Sequence, residues 1–534
     1  MFCVLFILIA RMFDLAIIRR PFLQHQGDLR ALRVVDVPVF RGMITDRNGY
    51  PLAVSAPVLS VWVDPTVFHP TQSQQALLEK SLHLSLQKQL QGKNQRHFVW
   101  LKRRLPPDFA ASIEKLHVPG LYFTQEYQRF YPEGEIAAHV TGFTGVDDRG
   151  QEGVELLYND WLAGSKGKQK VVRDRLGHVV SEEQTVQKQN PGRDVVLSLN
   201  RRIQYLAYQA LLNGIQENQA TSGSAVVLDT KTGEILAMVN QPSYNPNHIV
   251  PKEKNNFRNR AVTDLFEPGS TMKTFSILAA LESGQYQPTS EINTWPGWMR
   301  VGHHLVRDEH NNHTITLQRI LEVSSNVGMS KVILSLPADR LPNLLRRVGF
   351  GQVTHSYFPG EATGRLPDHF AEKSFPLATL SFGYGVSITA LQLAKAYSIF
   401  ANDGILIPVS LLRVDQPPVG QRVIEEKYVR QMLTLLRAVV DSKGGTGRLA
   451  RVPGYQVAGK TGTSWIAGKH GYDRHRYTSS FVGIAPFSHP RFVVAVVIRE
   501  PRGKRYLGGD VSAPVFSKIM AGTLRTLDVP PDDA

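Results

Sequence analysis

Three short groups of residues in this chain carry chemistry, and the first is Ser270 with Lys273 three positions on, inside Glu267-Pro268-Gly269-Ser270-Thr271-Met272-Lys273. A serine hydroxyl is a weak nucleophile until a base takes its proton, and a neutral lysine amine can be that base. Pro268 and Gly269 close a loop, after which Phe275, Leu278, Ala279 and Leu281 recur at helical spacing. The pattern predicts a helix over 271–283 with Ser270 at its start, where free backbone N–H groups and the helix dipole favour developing negative charge. On such a helix Lys273 shares a face with Ser270, one turn along.

The tetrapeptide alone decides nothing, because Ser85, Ser112, Ser165 and Ser270 all have a lysine three residues on. Most such pairs are solvated helix faces. Two later groups single out Ser270. Ser324-Ser325-Asn326 begins 54 positions after it, leaving a predicted helix over 316–323. Lys460-Thr461-Gly462-Thr463 begins 134 positions after Asn326, following the strand-like Gln456-Val457-Ala458. Ser198-Leu199-Asn200, Ser243-Tyr244-Asn245 and Lys231-Thr232-Gly233 fit the same short patterns. Their settings differ: Ser198 closes a predicted strand, and Lys231 falls in the turn of a predicted hairpin. Only the later set joins a serine at a helix start, a Ser-x-Asn leaving a helix and a Lys-Thr-Gly on a strand.

That ordered triple is a known signature of penicillin-binding proteins and class A β-lactamases. The middle motif here has Ser325 where the signature carries aspartate. Five more stretches resemble class B penicillin-binding proteins: Arg41 to Gly49 (RGMITDRNG), Arg129 to Pro132 (RFYP), Gly150 to Glu155 (GQEGVE), Ser381 to Gly385 (SFGYG) and Gly508 to Phe516 (GGDVSAPVF). The resemblance runs in order over most of the chain and extends to the division-specific FtsI type, penicillin-binding protein 3.

The resemblance implies a serine D,D-transpeptidase that cross-links peptidoglycan stem peptides at the division septum and is acylated by β-lactams. It implies Ser270 as nucleophile, Lys273 as base, Ser324 as proton relay and Asn326 as holder of the substrate backbone amide. Lys460 would anchor this network, and Thr461 and Thr463 would bind the donor's terminal carboxylate. Gly462 would let the strand approach substrate without a Cβ in the way. The N–H groups of Ser270 and Thr463 would form an oxyanion hole. Lys273 needs its pKa lowered by about three units to act at neutral pH, through burial or a nearby positive charge such as that of Lys460. No cofactor or metal is required. The implied partners are the membrane, the septal glycosyltransferase FtsW and other divisome proteins. The motifs alone also fit a serine β-lactamase or β-lactam sensor, and the class resemblance admits an elongation-specific enzyme. No water-activating group of the kind a lactamase needs can be assigned. The intact Ser270, Lys273, Asn326 and Lys460 argue against an inactive scaffold.

Each motif needs an element to hold it. Asn190-Pro191-Gly192 marks a boundary. Beyond it the patterns predict a strand over 194–199, then a helix with Ile203, Leu206, Ala207, Ala210 and Leu211 on one face. A hairpin pairing 224–229 with 234–239, strands over 479–484 and 492–498, and helices over 389–401 and 427–441 follow. Strands from both ends of the region, with helices between, predict an α+β domain over 194–525. The resemblance makes it the penicillin-binding fold, an antiparallel sheet covered by helices. Residues 35–190 mix strand-like runs such as 59–63 with polar helical stretches such as 72–88. The resemblance makes this a pedestal of the dimerisation-domain type.

The 534 residues suit two or three domains, and 42% hydrophobic with 20% charged residues excludes wholesale disorder. Met1 to Ala10 and Leu15 to Ile18 are apolar, interrupted by Arg11 and Asp14. The resemblance makes 1–20 a single membrane helix in the cell inner membrane, with the catalytic domain in the periplasm. The run is shorter than the about 20 residues a span takes, and Arg19-Arg20 follow rather than precede it. The expectation is therefore a chain that starts inside its membrane helix, with an extension upstream. One cysteine, Cys3, excludes an internal disulfide framework. The net charge of +15 is spread along the chain without a zinc-finger, helix-turn-helix or RNA-recognition pattern, so nucleic acid is not an expected partner. His303, His304, His310 and His313 with Asp308 and Glu309 match no familiar zinc spacing. Gly383 and Gly385 lack the Lys-Ser/Thr of a phosphate loop.

Overall fold

The apolar runs at 225–228 and 492–498 are continuous rather than alternating, which calls for cover on both faces of a strand. The computed structural model, which describes residues 2–173, 179–468 and 471–532, supplies that cover. Five strands form one antiparallel sheet, in the spatial order Ile235–Gln241, Ser222–Asp229, Phe492–Arg499, Gly471–Ala485, Ala458–Gly468. On one face Val226, Val493, Ala495 and Val497 pack with the helices Ala390–Ser398 and Glu426–Asp441. On the other, Ala225, Val227, Val494 and Val496 pack with Arg201–Glu217 and Gly508–Thr526.

Asp229 pairs with Phe492 in register, so early and late parts of the chain close the sheet together. The helical segments between them carry the first two motifs. A 3₁₀ turn, Gly269–Met272, leads into the helix Lys273–Glu282, whose residues from Lys273 to Leu281 are all buried. A helix buried on every side belongs in the centre of a domain. Phe275 meets the rings of Phe350 and Tyr397 edge-on, and the Tyr397 hydroxyl donates to the Thr271 carbonyl at 2.8 Å. The strand expected over 194–199 shrinks to Val195–Val196. Its neighbours are short: Ile44–Thr45 alongside in parallel, and a single bridge from Leu197 to Leu412.

In the N-terminal module, Pro51–Val63 is the central strand, flanked by Val99–Leu105 and Leu121–Phe130. Three of the family-like stretches converge on one carboxylate there. Arg41 Nε and Arg129 Nε each donate to Glu155 at 2.6 Å, and all three side chains are buried. The first described helix is Phe2–Phe13, followed by a wider turn at Asp14–Ile18, where Arg11 and Arg19 both pair with Asp14. The single membrane helix expected over 1–20 thus changes from α to π winding at Asp14 and ends at Arg19. Twelve helical residues rise about 18 Å, short of the about 30 Å bilayer core. Among the described residues no helix is long and apolar enough to cross a membrane.

Candidate active site

The turn before Ser270 is set by tight backbone packing. Gly269 has φ +57°, and a Cβ placed there would lie 2.7 Å from the Thr463 carbonyl oxygen. The nucleophile turn therefore lies directly against the edge strand Ala458–Gly468. From the next turn, Lys273 Nζ stands 2.9 Å from Ser270 Oγ. The same amine lies 2.7 Å from the Ser324 carbonyl, 3.1 Å from Ser324 Oγ and 2.7 Å from Asn326 Oδ1. A neutral amine has two N–H groups and one lone pair. Donating to the two nearest oxygens, of Ser324 and Asn326, leaves the lone pair for the Ser270 hydroxyl. Burial lowers the Lys273 pKa to about 7, against the opposing pull of Asp308 and Glu309.

Ser324 ends the helix Leu317–Val323 in the left-handed conformation, φ +61° and ψ +41°. Glycine is the usual residue there, and a side chain costs about 1–2 kcal/mol. The serine hydroxyl gained in return lies between the two lysines, with Lys460 Nζ at 3.3 Å. Lys460 also contacts the Thr461 carbonyl and hydroxyl at 3.2 and 3.1 Å. The Thr461 hydroxyl continues the chain to Thr446 Oγ1 at 2.9 Å. Burial pulls Lys460 well below the ordinary lysine range, and repulsion from Lys273 adds to it. The sequence reading gave Lys460's charge a share in lowering Lys273. In the structure burial is the largest cause at both lysines, and the mutual repulsion of the two amines disfavours charging both at once.

Gly462 has an internal reason to lack a side chain. A Cβ there would meet Ser480 Oγ at 2.3 Å and the Pro268 carbonyl at 2.7 Å, both within the protein. Its bareness lets the edge strand close on its neighbour and on the nucleophile turn. The Thr463 hydroxyl accepts from the Gly508 N–H at 3.0 Å.

Ser85 also stands at a helix start, Leu86–Leu90, but in the N-terminal module, and other rival matches lie in other settings. Ser198 is buried and donates to the Ile235 carbonyl, while Asn200 caps the helix Arg201–Glu217. Lys231 reaches Asn402 from its hairpin turn, and Ser112 bonds back to Phe109. In the histidine-rich segment, the His304 ring stacks on Phe375 at 4.2 Å. Among the described residues no three of His, Cys, Asp and Glu are grouped to hold a metal ion.

Residues 223–521 match the penicillin binding protein transpeptidase domain, and residues 36–197 match the penicillin-binding protein dimerisation domain. The chain is 40% identical over 533 residues to the peptidoglycan D,D-transpeptidase FtsI of Escherichia coli, covering 98% of this chain and 90% of that protein. The chain belongs to the FtsI-type penicillin-binding proteins. It is also 43% identical over 515 residues to the probable peptidoglycan D,D-transpeptidase PbpC of Pseudomonas aeruginosa, covering 96% of this chain and 91% of that one. Among solved structures, penicillin-binding protein 3 of Mycobacterium tuberculosis complexed with aztreonam superposes with a TM-score of 0.72 at 27% identity, covering 93% of this chain and 98% of that one. The transpeptidase domain of Burkholderia pseudomallei penicillin-binding protein 3 gives 0.58 at 39% identity, covering 63% and 97%.

Three side chains in this penicillin-binding protein escaped sequence reasoning. Thr446 lies in a Gly-rich turn, where nothing local announces a hydroxyl facing Thr461. Asp308 was weighed only as part of a possible metal cluster. Glu267 opens the nucleophile loop, and its Oε1 accepts from the Gly385 N–H and the Tyr472 hydroxyl, both at 2.8 Å. Burial raises its pKa. The Glu267 carbonyl accepts from Ser464 Oγ at 2.7 Å, so the loop before Ser270 is tied to the edge strand through Ser464 and to the neighbouring strand through Tyr472.

Proposed function

We propose that this protein is a peptidoglycan D,D-transpeptidase working through a Ser270 acyl-enzyme at the division septum. The observation that carries the reading is the Lys273 amine, which touches Ser270, Ser324 and Asn326 at once. Ser270 Oγ passes its proton to the Lys273 lone pair and attacks the carbonyl of the penultimate D-Ala. The N–H groups of Ser270 and Thr463, on adjoining segments, receive the oxyanion. The C–N bond breaks, and the terminal D-Ala leaves with a proton returned from Lys273 through Ser324. An amine of a neighbouring stem then attacks the ester, forming the cross-link and freeing Ser270. Thr461 and Thr463, both on the edge strand, hold the donor carboxylate. A β-lactam acylates Ser270 by the same attack, but its leaving nitrogen stays tethered.

The septal setting is supported by the FtsI relatives, and FtsW with other divisome proteins are the partners it suggests. A catalytic domain over 194–525 on a pedestal over 35–190 fits the two family matches. The exposed apolar residues between Val4 and Ile18 support a membrane anchor, with the rest of the chain in the periplasm of an inner membrane. Labelled penicillin tests the activity. The wild-type protein is expected to hold a long-lived adduct that Ser270→Ala abolishes. Rapid turnover of the label would mean a β-lactamase instead.

A further inference from the structure

Asp308 stands outside the three motifs yet holds one of them in place. It follows a small hairpin in which Trp298–Val301 pairs with His304–Arg307. Its Oδ1 accepts from the Asn326 N–H at 2.5 Å and the Val327 N–H at 2.9 Å. Its Oδ2 accepts from Ser325 Oγ at 2.6 Å. The carbonyl just before it, of Arg307, accepts from Asn326 Nδ2 at 3.2 Å. With its nitrogen committed to that carbonyl, the Asn326 amide turns its oxygen to Lys273, at 2.7 Å.

We propose that Asp308 is a positioning residue: it clamps the Ser324–Ser325–Asn326 turn and thereby fixes the oxygens that orient the Lys273 amine toward Ser270. The inference rests on the reading of Ser270 and Lys273 as nucleophile and base. A turn with a serine in the left-handed conformation persists only where its surroundings over-determine it. A carboxylate receiving three bonds from consecutive residues does that. It also satisfies two free N–H groups at the start of the helix Asn326–Leu334, where negative charge is favoured. The charged groups around Lys273 are Asp308, Glu309 and Lys460. Asp308 thus has a second effect, since its charge keeps the proton on Lys273 against the pull of burial.

The test is the pH dependence of Ser270 acylation by a fluorescent penicillin in wild type, Asp308→Ala and Asp308→Asn. Alanine accepts no bond, and its plateau rate is expected to fall about ten- to hundredfold. The asparagine amide oxygen still accepts from Asn326 and Val327, so Asp308→Asn should recover most of that loss. In both variants the acidic limb of the profile should move to lower pH, because a negative charge near Lys273 is gone. An Asp308→Ala plateau equal to wild type overturns the proposal, as does a loss in both variants with the limb unmoved. Should Asp308→Ala fail to fold, as read by thermal unfolding, the limb of Asp308→Asn decides alone. The wild-type trace separates the two claims. An unacylated wild type removes the transpeptidase reading, whereas an acylated wild type with indifferent variants removes only the role of Asp308.

Discussion

Lys273 and Lys460 share one hydroxyl: their amines stand 3.1 and 3.3 Å from Ser324 Oγ. Two ammonium groups in one buried pocket would repel strongly, and both amines are pulled below the ordinary lysine range. The surroundings are unequal. Lys273 has two carboxylates nearby and short contacts to Ser324 O and Asn326 Oδ1, so it is the better holder of the pair's proton.

The base must be neutral to accept the Ser270 proton, and Lys273 loses its own proton near pH 7. Below that pH the amine is charged and acylation is suppressed; above it the lone pair is free. The rate constant for penicillin acylation is therefore expected to rise through an acidic limb centred near pH 7 and then level off. A limb centred near 10, the range of an exposed lysine, would show that Lys273 is not the buried base described here.

Lys460 separates two accounts of that limb. If its charge held Lys273 down, Lys460→Met would move the limb to higher pH. If burial does so, the limb stays near pH 7 while the plateau rate falls, since Ser324 loses one partner. Burial is the largest cause of the Lys273 shift, so most of the limb's displacement from the ordinary lysine range is expected to survive Lys460→Met, and pH profiles of the two proteins measured side by side decide it.

What the sequence made legible was local or periodic. The Ser270–Lys273 spacing survives folding because a turn and helix carry it, and the apolar runs of the sheet declare themselves by composition. The hairpin around Lys231 follows from its turn residues. What stayed hidden depends on distant segments meeting. Asp308 is one acidic residue in a polar loop until the 325–327 backbone comes to it. Thr446 is a turn residue until Thr461 faces it. The left-handed Ser324 breaks the preference for glycine at a helix end, and a rule about helix ends does not anticipate a hydroxyl needed there. Gly462 is legible as important, but its close approach to Pro268 and Ser480 is not.

The strain at Ser324 can be measured by comparing two variants that both lack the hydroxyl. Ser324→Ala keeps a Cβ at φ +61°, whereas Ser324→Gly removes it. The glycine variant is expected to be more stable than the alanine variant by about 1 kcal/mol in denaturant unfolding. Both should be impaired alike in acylation, because neither can bridge the two amines. Equal stability would mean the turn relaxes out of the left-handed region once the hydroxyl is gone.

Gly462 sets how closely the edge strand approaches the nucleophile turn. Adding one methyl in Gly462→Ala places a carbon 2.3 Å from Ser480 Oγ and 2.7 Å from the Pro268 carbonyl. The serine hydroxyl can rotate away, but the Pro268 carbonyl belongs to the backbone two residues before Ser270. Relief must come from moving the strand off the turn, which carries Thr463 and Lys460 away from Ser270 and Ser324. Displacements of this size at a reacting centre cost about a hundredfold in rate. Gly462→Ala is thus expected to acylate with penicillin at least about tenfold more slowly than wild type while remaining folded. A wild-type acylation rate in a folded Gly462→Ala protein would show that the strand and the turn have slack between them and that their close approach is not needed for attack.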